Sequence, residues 1–424
     1  MMMRSLPDWL THAAQIHPVG IDLGLHRVRE VADRLGVLPP AAQNIVIAGT
    51  NGKGSTAVYL EGLLRAGGHT VGTTLSPHLN CFNERVRVNG KPVDDEGLCE
   101  AFATIEDARR DITLTYFEFG ILAALLIFKR ARVATTVLEV GLGGRLDAVN
   151  VVDADLTIIT SIGIDHVEYL GSDRETIGAE KAGILRRGVT CVFGEPSVPA
   201  SIVNAAKVLD APLLRYGAEF SGRGSKEGWY FEGLHDGVAV TFDGLVMPSV
   251  AINNAATALQ GFLALDGCRA VPECVRGAAE VRLPGRFEFF EYRGTQVIVD
   301  VAHNPHGAAF LSGQLRSANR GGRTLAIAGF LQDKDAAGIV AALDSAVDEW
   351  VFVGTDGQRG QDAAATASKV GDTLRASVGH GALLDVIDRV TLRLTPLDRL
   401  VVLGSFDLAQ RARGILRHEV PGID

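Results

Sequence analysis

The segment GTNGKGST, residues 49–56, contains residue types that could bind a phosphate group. Its glycines allow a tight turn that directs backbone N–H groups at an anion. Lys53 supplies a mobile cation, and Ser55 and Thr56 supply hydroxyl groups that could bind Mg²⁺. An apolar run precedes the segment and a helical pattern follows it. The sequence therefore predicts a strand, a phosphate-binding loop and a helix whose N-terminal dipole favours anions.

The spacing within this segment differs from that of the common P-loop, in which a glycine and four residues precede Gly-Lys-Ser/Thr. Ile47 occupies the position of the first glycine, and Gly54 separates Lys53 from the hydroxyl groups. A glycine turn that binds nothing is the alternative. The candidate nucleotide-binding residues are Gly49, Thr50, Asn51, Gly52, Lys53, Gly54, Ser55 and Thr56.

Apolar β-type runs alternate with helical patterns up to about residue 281, which predicts an α/β fold with a mostly parallel sheet. The predicted strands are 44–48, 69–74, 134–140, 156–161 and 190–193. The predicted helices are 54–66, 95–108, 117–130, 175–185, 253–266 and 273–281. Asn89-Gly90 predicts a hairpin within 85–93, and short strands between glycine turns predict a small antiparallel flap at 213–242.

Pro284-Gly285 interrupts this pattern, and a second alternation follows without a phosphate loop. Its predicted strands are 296–300, 324–329, 349–354 and 400–403, and its predicted helices are 307–317, 336–343, 363–376 and 408–416. We therefore expect two domains: a P-loop-type domain at 1–286 and a smaller, Rossmann-like α/β domain at 287–424.

Polar side chains follow three of the predicted strands of the first domain. Glu139 ends one strand, Ser76 follows another, and Asp165-His166 follows a third. Ligands of open parallel sheets bind at the carboxyl ends of the strands, where these groups could hold Mg²⁺. The structural alternatives are a capping serine, a capping carboxylate and a hydrogen-bonded histidine. Lys181 lies on a predicted helix, where a solvated surface lysine is the simpler interpretation.

Composition limits the class of protein. The chain has 424 residues, 47% hydrophobic and 21% charged, with a formal net charge of −9, which indicates a globular protein without the basic patch of a nucleic-acid binder. The apolar run 119–128 is too short to span a bilayer. The N-terminus lacks a signal-peptide pattern, and the five cysteines lack metal-type spacing, so we expect a cytoplasmic, reduced protein that does not bind membranes.

Eight motifs stand in one order along nearly the whole chain: GTNGKGST, SPHLNCFNERVRVNG, LTYFEFG, LEVGLGGRLDAVN, SIGIDHVEYLG, ETIGAEKAGIL, PGRFE and DVAHNPHG. Together they resemble the bacterial dihydrofolate synthase/folylpolyglutamate synthases, which are relatives of the Mur ligases. The resemblance implies an ATP-dependent amide ligase that adds L-glutamate to dihydropteroate and to reduced folates. It does not tell whether both activities are present or how long a glutamate tail is made.

The resemblance also implies roles for individual residues. The Mg²⁺ ligands would be Ser76, Glu139, His166 and Lys181, with Lys181 carbamylated by CO₂; the catalytic residues would be Lys53, Lys181 and His166. ATP would be contacted by Asn254 at the adenine, Arg286 at a phosphate and Asp300 at the ribose, while His303 would face the cleft without an assigned role. The pterin site would contain Thr115, Phe117, Asp147 and the N-terminal loop 21–28.

In such a ligase, ATP converts a carboxylate into an acyl phosphate, which the amino group of glutamate attacks. Phosphoryl transfer depends mainly on positioning and charge neutralisation, which Lys53 and Mg²⁺ would supply. One alternative is a cell-wall Mur ligase, but only 48 residues precede Gly49, too few for its additional UDP-sugar domain. Another is a P-loop NTPase that regulates partner proteins. We expect a monomer that acts on small molecules.

Overall fold

The computed structural model describes residues 4–225, 227–265, 272–318, 321–357, 359–371, 376–379 and 381–419. The chain divides into two compact units, Met1–Arg282 and Leu283–Asp424. The sequence places the boundary slightly later, between residues 286 and 287. Cys268 and the end of the predicted helix 253–266 lie outside the described residues.

The first unit contains eleven strands in its described part. In chain order they are β1 Gln43–Ala48, β2 Val71–Thr74, β3 Val86–Val88, β4 Lys91–Pro92, β5 Thr135–Glu139, β6 Leu156–Ile159, β7 Cys191–Phe193, β8 Leu213–Arg215, β9 Ser221–Gly224, β10 Trp229–His235 and β11 Val238–Leu245. Its helices are α1 Leu6–Gln15, α2 His26–Leu35, α3 Lys53–Ala66, α4 Asp95–Arg109, α5 Tyr116–Ala131, α6 Val167–Leu170, α7 Arg174–Ala182, α8 Ala200–Val208, α9 Ile252–Leu263 and α10 Pro272–Ala279.

Eight of these strands form one sheet in the order β4-β3-β2-β5-β1-β6-β7-β8. Strands β2, β5, β1, β6, β7 and β8 run parallel to one another, whereas β3 and β4 form an antiparallel edge beside β2. The chain passes from β1 to β2 on one side and later crosses over β1 from β5 to β6. The loop after β1 therefore lies where the direction of winding reverses, the usual place for a ligand in such sheets. The predicted α/β class is confirmed.

The predicted antiparallel flap is the three-stranded sheet β11-β10-β9. Residues 213–215 do not belong to it, because β8 pairs in parallel with β7 and extends the main sheet. The flap packs on α9, where the Gln260 side chain exchanges hydrogen bonds of 2.9 and 2.8 Å with the backbone N–H and C=O of Leu234. A Cβ on Gly222 of β9 would lie 2.9 Å from that of Ala256 on α9, so glycine permits this close packing.

The N-terminal residues form two helices that the sequence did not predict. A capping box between Ser5 and Asp8 begins α1, and Leu6, Trp9 and Ala13 bury its apolar face. The second helix, α2, begins at His26, so only the first part of the predicted loop 21–28 lacks regular structure. No helix in the described ranges is long and apolar enough to cross a membrane.

The second unit is a smaller α/β domain, as predicted. Its strands are β12 Glu288–Tyr292, β13 Thr295–Val299, β14 Thr324–Ala328, β15 Glu349–Phe352, β16 Ala376–Val378 and β17 Arg399–Leu403, and its helices are α11 Pro305–Ser317, α12 Ala336–Leu343, α13 Ala363–Val370, α14 Leu383–Thr391 and α15 Phe406–Glu419. The sheet order is β12-β13-β17-β14-β15-β16, parallel except at the β12–β13 hairpin. The predicted helix 363–376 is too long, because α13 ends at Val370, the next residue Gly371 has a φ of +85°, and residues 376–378 form a strand.

Candidate active site

The phosphate-loop segment connects β1 to α3, and α3 begins at Lys53. Gly52 has a φ of +85°, a left-handed conformation that glycine adopts without strain. A Cβ at this position would lie 2.6 Å from the side-chain Oδ1 of Asn254, at the start of α9. The fold thus brings the predicted adenine contact, Asn254, against the loop.

The loop is fastened to the end of β6. The backbone N–H groups of Thr50 and Asn51 donate to the carbonyl and the hydroxyl of Ser161, at 2.9 and 3.1 Å. The Thr160 hydroxyl donates to the Asn51 carbonyl at 2.7 Å, and the Thr50 hydroxyl donates to the Gly163 carbonyl at 3.0 Å. The amides of Thr50 and Asn51 therefore hold the loop in place and do not face an anion. The first-turn amides of α3 have no acceptor within the helix and suit anion binding.

Two lysines converge on one backbone carbonyl of this loop. The ammonium nitrogens of Lys53 and Lys181 lie 3.1 and 3.0 Å from the oxygen of Gly49. Lys181 is only 3% exposed, which contradicts the interpretation as a solvated surface lysine. Burial, together with the charge of Lys53, lowers the pKa of Lys181 to about 7, although Asp165 and Asp147 oppose the shift. The site therefore concentrates positive charge at a neutral acceptor.

The hydroxyl-bearing residues after Lys53 are buried. Ser55 and Thr56 lie in the first turn of α3 at 7% and 0% exposure, and Gly54 precedes them in that turn. The Thr56 amide donates to the Gly52 carbonyl at 2.8 Å. The buried Thr56 hydroxyl has no hydrogen-bond partner within the described part of the chain.

Glu139 and Ser76 meet at the carboxyl ends of β5 and β2. The Ser76 amide donates to a carboxylate oxygen of Glu139 at 2.7 Å, and the Glu139 amide donates to the Thr74 hydroxyl at 3.0 Å. Glu139 is 4% exposed. The structure thus joins two of the four predicted metal ligands through a direct hydrogen bond.

His166 precedes α6 in a left-handed conformation, with φ +51°. Its backbone N–H donates to Asp165 Oδ1 at 2.9 Å, and the residue is exposed. Within the described ranges, no cluster of three or more His, Cys, Asp or Glu side chains is placed to hold a metal ion. The predicted ligand set contains only two such residues, so it would need oxygen ligands from a modified Lys181, a bound phosphate or water.

The predicted pterin residues surround the N-terminus of α5 and the turn after β5. Thr115 caps α5: its hydroxyl accepts from the Glu118 amide, while its own amide donates to the Glu118 carboxylate at 2.7 Å. The Phe117 ring lies so close to Gly141 that a Cβ there would be 2.6 Å from it. A small pocket beside Phe117 is lined by Thr74, Leu75, Arg85, Tyr116, Phe117, Gly120 and Ile121.

Asp147 holds the backbone of the turn after β5. Its carboxylate accepts from the amides of Gly141, Leu142 and Val149 at 3.0, 2.9 and 3.0 Å. Burial raises its pKa to about 6, although these hydrogen bonds and the charge of Lys53 oppose the shift. Since Asp147 is 2% exposed, its direct effect is on the shape of the turn.

Arg27, which the sequence analysis missed, fastens the N-terminal loop to this region. Its guanidinium donates to the Asp22 carboxylate at 2.6 Å and to the Glu118 carboxylate at 2.9 Å. The Gly24 amide donates to the Leu146 carbonyl at 3.1 Å. The loop 21–28 is therefore held beside the predicted pterin residues. A basic residue within the loop was the only local signal, and its partners could not be read from the sequence.

Arg85 is the other missed residue near the site. Its Nε–H donates to His78 Nδ1 at 2.8 Å, and its guanidinium carbon lies 5.6 Å from the ring centroids of both Phe82 and Tyr116. Burial lowers its pKa, although Tyr116, Glu139 and Glu84 oppose the shift. Arg85 thus places a positive charge in the pocket, near the carboxylate of Glu139.

In the second unit, the predicted residues Arg286, Asp300 and His303 lie near one another, and Arg286 and His303 both lie beside the Phe406 ring. The guanidinium carbon of Arg286 lies 5.0 Å from the centroid of the Phe406 ring, and the His303 ring centroid lies 5.9 Å from it. Asp300 accepts from the amides of Phe287 and Ala302 at 2.8 and 2.7 Å. Burial raises the Asp300 pKa, while Arg286, these hydrogen bonds and His303 oppose the shift. No local sequence pattern indicates the role of Phe406.

Two family models match this chain: the Mur ligase middle domain at residues 47–193, and the Mur ligase, glutamate ligase domain at residues 285–406. A curated relative, the dihydrofolate synthase/folylpolyglutamate synthase of Escherichia coli strain K12, is 44% identical over 95% of this chain and 93% of its own length.

Solved structures agree with these matches. The structure of E. coli FolC in complex with DHPP and ADP has a TM-score of 0.91 and 42% identity, and the match covers 97% of each chain. A bifunctional folylpolyglutamate synthase/dihydrofolate synthase with Mn, AMPPNP and L-glutamate bound has a TM-score of 0.88 and 40% identity, with 97% of this chain and 98% of that one covered. This chain therefore belongs to the dihydrofolate synthase/folylpolyglutamate synthase family of Mur ligases.

Proposed function

We propose that this protein is an ATP-dependent amide ligase that adds L-glutamate to dihydropteroate, giving dihydrofolate, and to reduced folates, giving folylpolyglutamates, with release of ADP and phosphate. Membership of the family supports the reaction class. Its structural relatives are named as complexes with ADP or with Mn, AMPPNP and L-glutamate. These ligands support ATP and glutamate as substrates and a divalent metal ion as the cofactor.

The observation that carries the proposal is the pair of ammonium groups at the Gly49 carbonyl. Lys53 and Lys181 both donate to this one oxygen, and the charge of each opposes the other. Although Asp165 and Asp147 raise the pKa of Lys181, burial and the charge of Lys53 still lower it to about 7, so the surroundings do not fully compensate the two ammonium groups. A phosphate group at the start of α3 would do so, and the helix dipole adds to its binding.

The chain's own residues then account for the phosphoryl transfer. Lys53, on the first turn of α3, can turn from Gly49 to the phosphate that is transferred and neutralise its growing charge. Phosphate is a good leaving group from the acyl phosphate, so the amino group of glutamate can attack the carbonyl carbon, expel phosphate and lose a proton to give the amide. Asn254 would contact the adenine, Arg286 a phosphate and Asp300 the ribose.

The arrangement around Glu139 fits a divalent cation. Its buried carboxylate at a strand end, beside Ser76, is a typical hard-oxygen ligand, and His166 and a carbamylated Lys181 would complete the set. Mg²⁺ held there would neutralise phosphate charge during the transfer. Lys181 suits carbamylation because a pKa of about 7 leaves a large neutral fraction near neutral pH. The neutral amine would attack the carbon of CO₂, form an N–C bond and lose a proton.

The pterin is assigned to the region around Phe117, with Thr115 and Asp147 fixing the backbone on either side. Residues 1–286 would then bind ATP and the pterin, while residues 287–424 would supply the ribose contact and the glutamate site.

We also propose that the protein works as a monomer in the cytoplasm, without nucleic acid. Light scattering of the purified chain tests the monomer.

The test of the activity is ADP release with each substrate omitted in turn. We expect ADP release only when ATP, Mg²⁺, L-glutamate and either dihydropteroate or a reduced folate are all present. ADP release that is independent of both glutamate and the pterin would instead indicate a simple NTPase. Activity with dihydropteroate alone, or with reduced folates alone, would restrict the proposal to one of the two reactions.

A further inference from the structure

The turn that carries Arg286 has an unusual backbone. Gly285 and Phe287 both have positive φ values, +68° and +48°. A left-handed conformation is unfavourable for a residue with a side chain such as Phe287, so surrounding contacts must hold it. The Phe287 amide donates to Asp300 at 2.8 Å, and the Val301 amide donates to the Gly285 carbonyl at 3.1 Å.

A second carboxylate, that of Glu288, holds the other side of this turn. Its Oε2 accepts from the Gly285 amide at 2.7 Å. The same carboxylate is bound by the guanidinium of Arg413, with Nε to Oε2 at 2.6 Å and Nη2 to Oε1 at 3.1 Å. The Arg413 side chain is 1% exposed and that of Glu288 is 22% exposed, so water competes little for this two-pronged ion pair.

Arg413 and Phe406 both lie on α15, seven residues apart, which places them on the same face of the helix. Phe406 contacts the Arg286 guanidinium and Arg413 contacts Glu288, so one helix touches the turn at two points. Leu408, Ala412 and Leu416 are buried, and α15 packs against β12, β13 and β17. The helix is therefore a fixed base for the turn.

We propose that Arg413, acting through Glu288, is a positioning residue for Arg286: the buried pair fixes the turn at Gly285 so that the Arg286 guanidinium stays over the Phe406 ring. The proposal rests on the proposed function, in which Arg286 contacts a phosphate of ATP. A buried ion pair is weak evidence for stability, because apolar replacements are often neutral. Here the Arg413–Glu288 pair contributes by holding the Arg286 side chain in one direction.

The test compares Arg413→Met with Arg286→Ala and with the double variant, using calorimetric binding of AMPPNP in the presence of Mg²⁺. We expect Arg286→Ala to weaken binding at least tenfold and Arg413→Met to weaken it about fivefold to tenfold. The double variant should bind no more weakly than Arg286→Ala alone, because Arg413 acts through Arg286. Arg413→Lys keeps the charge but cannot form the bidentate contact, so its AMPPNP affinity should lie between those of Arg413→Met and the wild type.

Arg411→Met is the matched control. Arg411 lies on the same helix, is 38% exposed and pairs with Asp356 at 2.9 Å and Asp407 at 3.4 Å. Its replacement should leave AMPPNP binding unchanged. If Arg413→Met does not fold, Glu288→Gln is tested instead, since glutamine can still accept from the Gly285 amide but cannot form the charged, bidentate pair with Arg413.

The outcomes separate the two proposals. Unchanged AMPPNP binding in Arg286→Ala would remove the assumed nucleotide contact, and the positioning role with it. Weakened binding in Arg286→Ala but wild-type binding in Arg413→Met, or in Glu288→Gln where that variant stands in, overturns the positioning role alone. Additive losses in the double variant overturn it as well, because Arg413 would then act by another route.

Discussion

The charged residues of the two units are arranged in opposite ways. In the first unit, Lys53 and Lys181 share one neutral carbonyl, and their mutual repulsion contributes to the lowered pKa of Lys181. In the second unit, Asp300 is compensated by two backbone amides and by the nearby charges of Arg286 and His303. In the first region two ammonium groups share one carbonyl, with the charges of Asp165 and Asp147 nearby, whereas in the second region backbone amides hold one buried carboxylate.

This difference indicates different tasks. Two ammonium groups that share one backbone acceptor can both turn to an anionic ligand, so these residues should affect catalysis far more than folding. A carboxylate held by backbone amides fixes a backbone shape, so the residues around it should act through the direction of a few side chains. The following predictions test this contrast.

The largest effect is expected from Lys53→Ala. Loss of a cation that stabilises the transferred phosphate should lower kcat by a factor of several hundred, which corresponds to about 3.5 kcal/mol. Steady-state ADP release measures it, and circular dichroism verifies folding. Lys207→Ala is the control, because Lys207 is exposed on α8. A Lys53→Ala enzyme with wild-type kcat would show that this cation has no catalytic role.

Lys181→Ala should also lose most activity, because the alanine leaves no group to form a carbamate. We expect added acetate to restore part of kcat by placing a carboxylate in the vacated space. The measurement is a titration of kcat with acetate, with chloride at equal ionic strength as the control. An active variant that does not respond to acetate would remove Lys181 from the metal site.

Glu139→Ala and His166→Ala should both raise the Mg²⁺ concentration needed for half-maximal activity. Each variant removes one ligand of the same proposed ion, so the two should shift the Mg²⁺ titration in the same direction. A wild-type titration in either variant would contradict a shared site. Glu84→Gln is a useful comparison, since Glu84 accepts from the amides of Leu79 and Asn80 and has no proposed role as a ligand.

Much of this arrangement could be predicted from the sequence, because the strand, glycine loop and helix around Lys53 are contiguous. The helix carrying Lys181 was also predicted, but its burial depends on packing against a loop 132 residues away. The contacts of Arg27 with Glu118 and of Arg413 with Glu288 span 91 and 125 residues, and neither partner indicates the other. Side-chain pairs at such separations follow from topology, which local patterns do not determine.

Short strands were missed or assigned to the wrong sheet for a similar reason. Strands such as β8 and β16 have only three residues, and parallel pairing with a neighbouring strand determines them. The helix α2 was missed although Val28, Val31 and Ala32 bury one of its faces at helical spacing. Its many charged residues obscured a pattern that was present.

The smallest catalytic effect is expected from Asp398→Asn, at the amino end of β17 and so away from the strand ends that carry Asp300. Burial raises the pKa of Asp398, but hydrogen bonds from Thr395 and Arg323 outweigh it and lower the pKa to about 2. A lowered pKa in the folded state stabilises the protein above the unfolded pKa of about 4, and this stabilisation is lost as the pH falls through about 2.

We therefore expect Asp398→Asn to lower the free energy of unfolding by about 2 kcal/mol at pH 7, with kcat unchanged. The difference from the wild type should stay constant above about pH 5 and shrink below about pH 4. Chemical denaturation at several pH values measures it. A fall in kcat with unchanged stability would contradict the structural assignment of this carboxylate.

The antiparallel flap has a consequence for engineering. Its β9 and β10 strands are joined to α9 by the Gly222–Ala256 approach and the bonds from Gln260 to Leu234, and α9 carries Asn254 to the phosphate loop. By contrast, the β10–β11 turn at Asp236 and Gly237 has positive φ at both residues, and both are exposed. Chain insertions succeed mainly at such turn tips. A reporter domain inserted between Asp236 and Gly237 should leave the α9 contacts intact, which makes this turn a suitable attachment point for a fluorescent label.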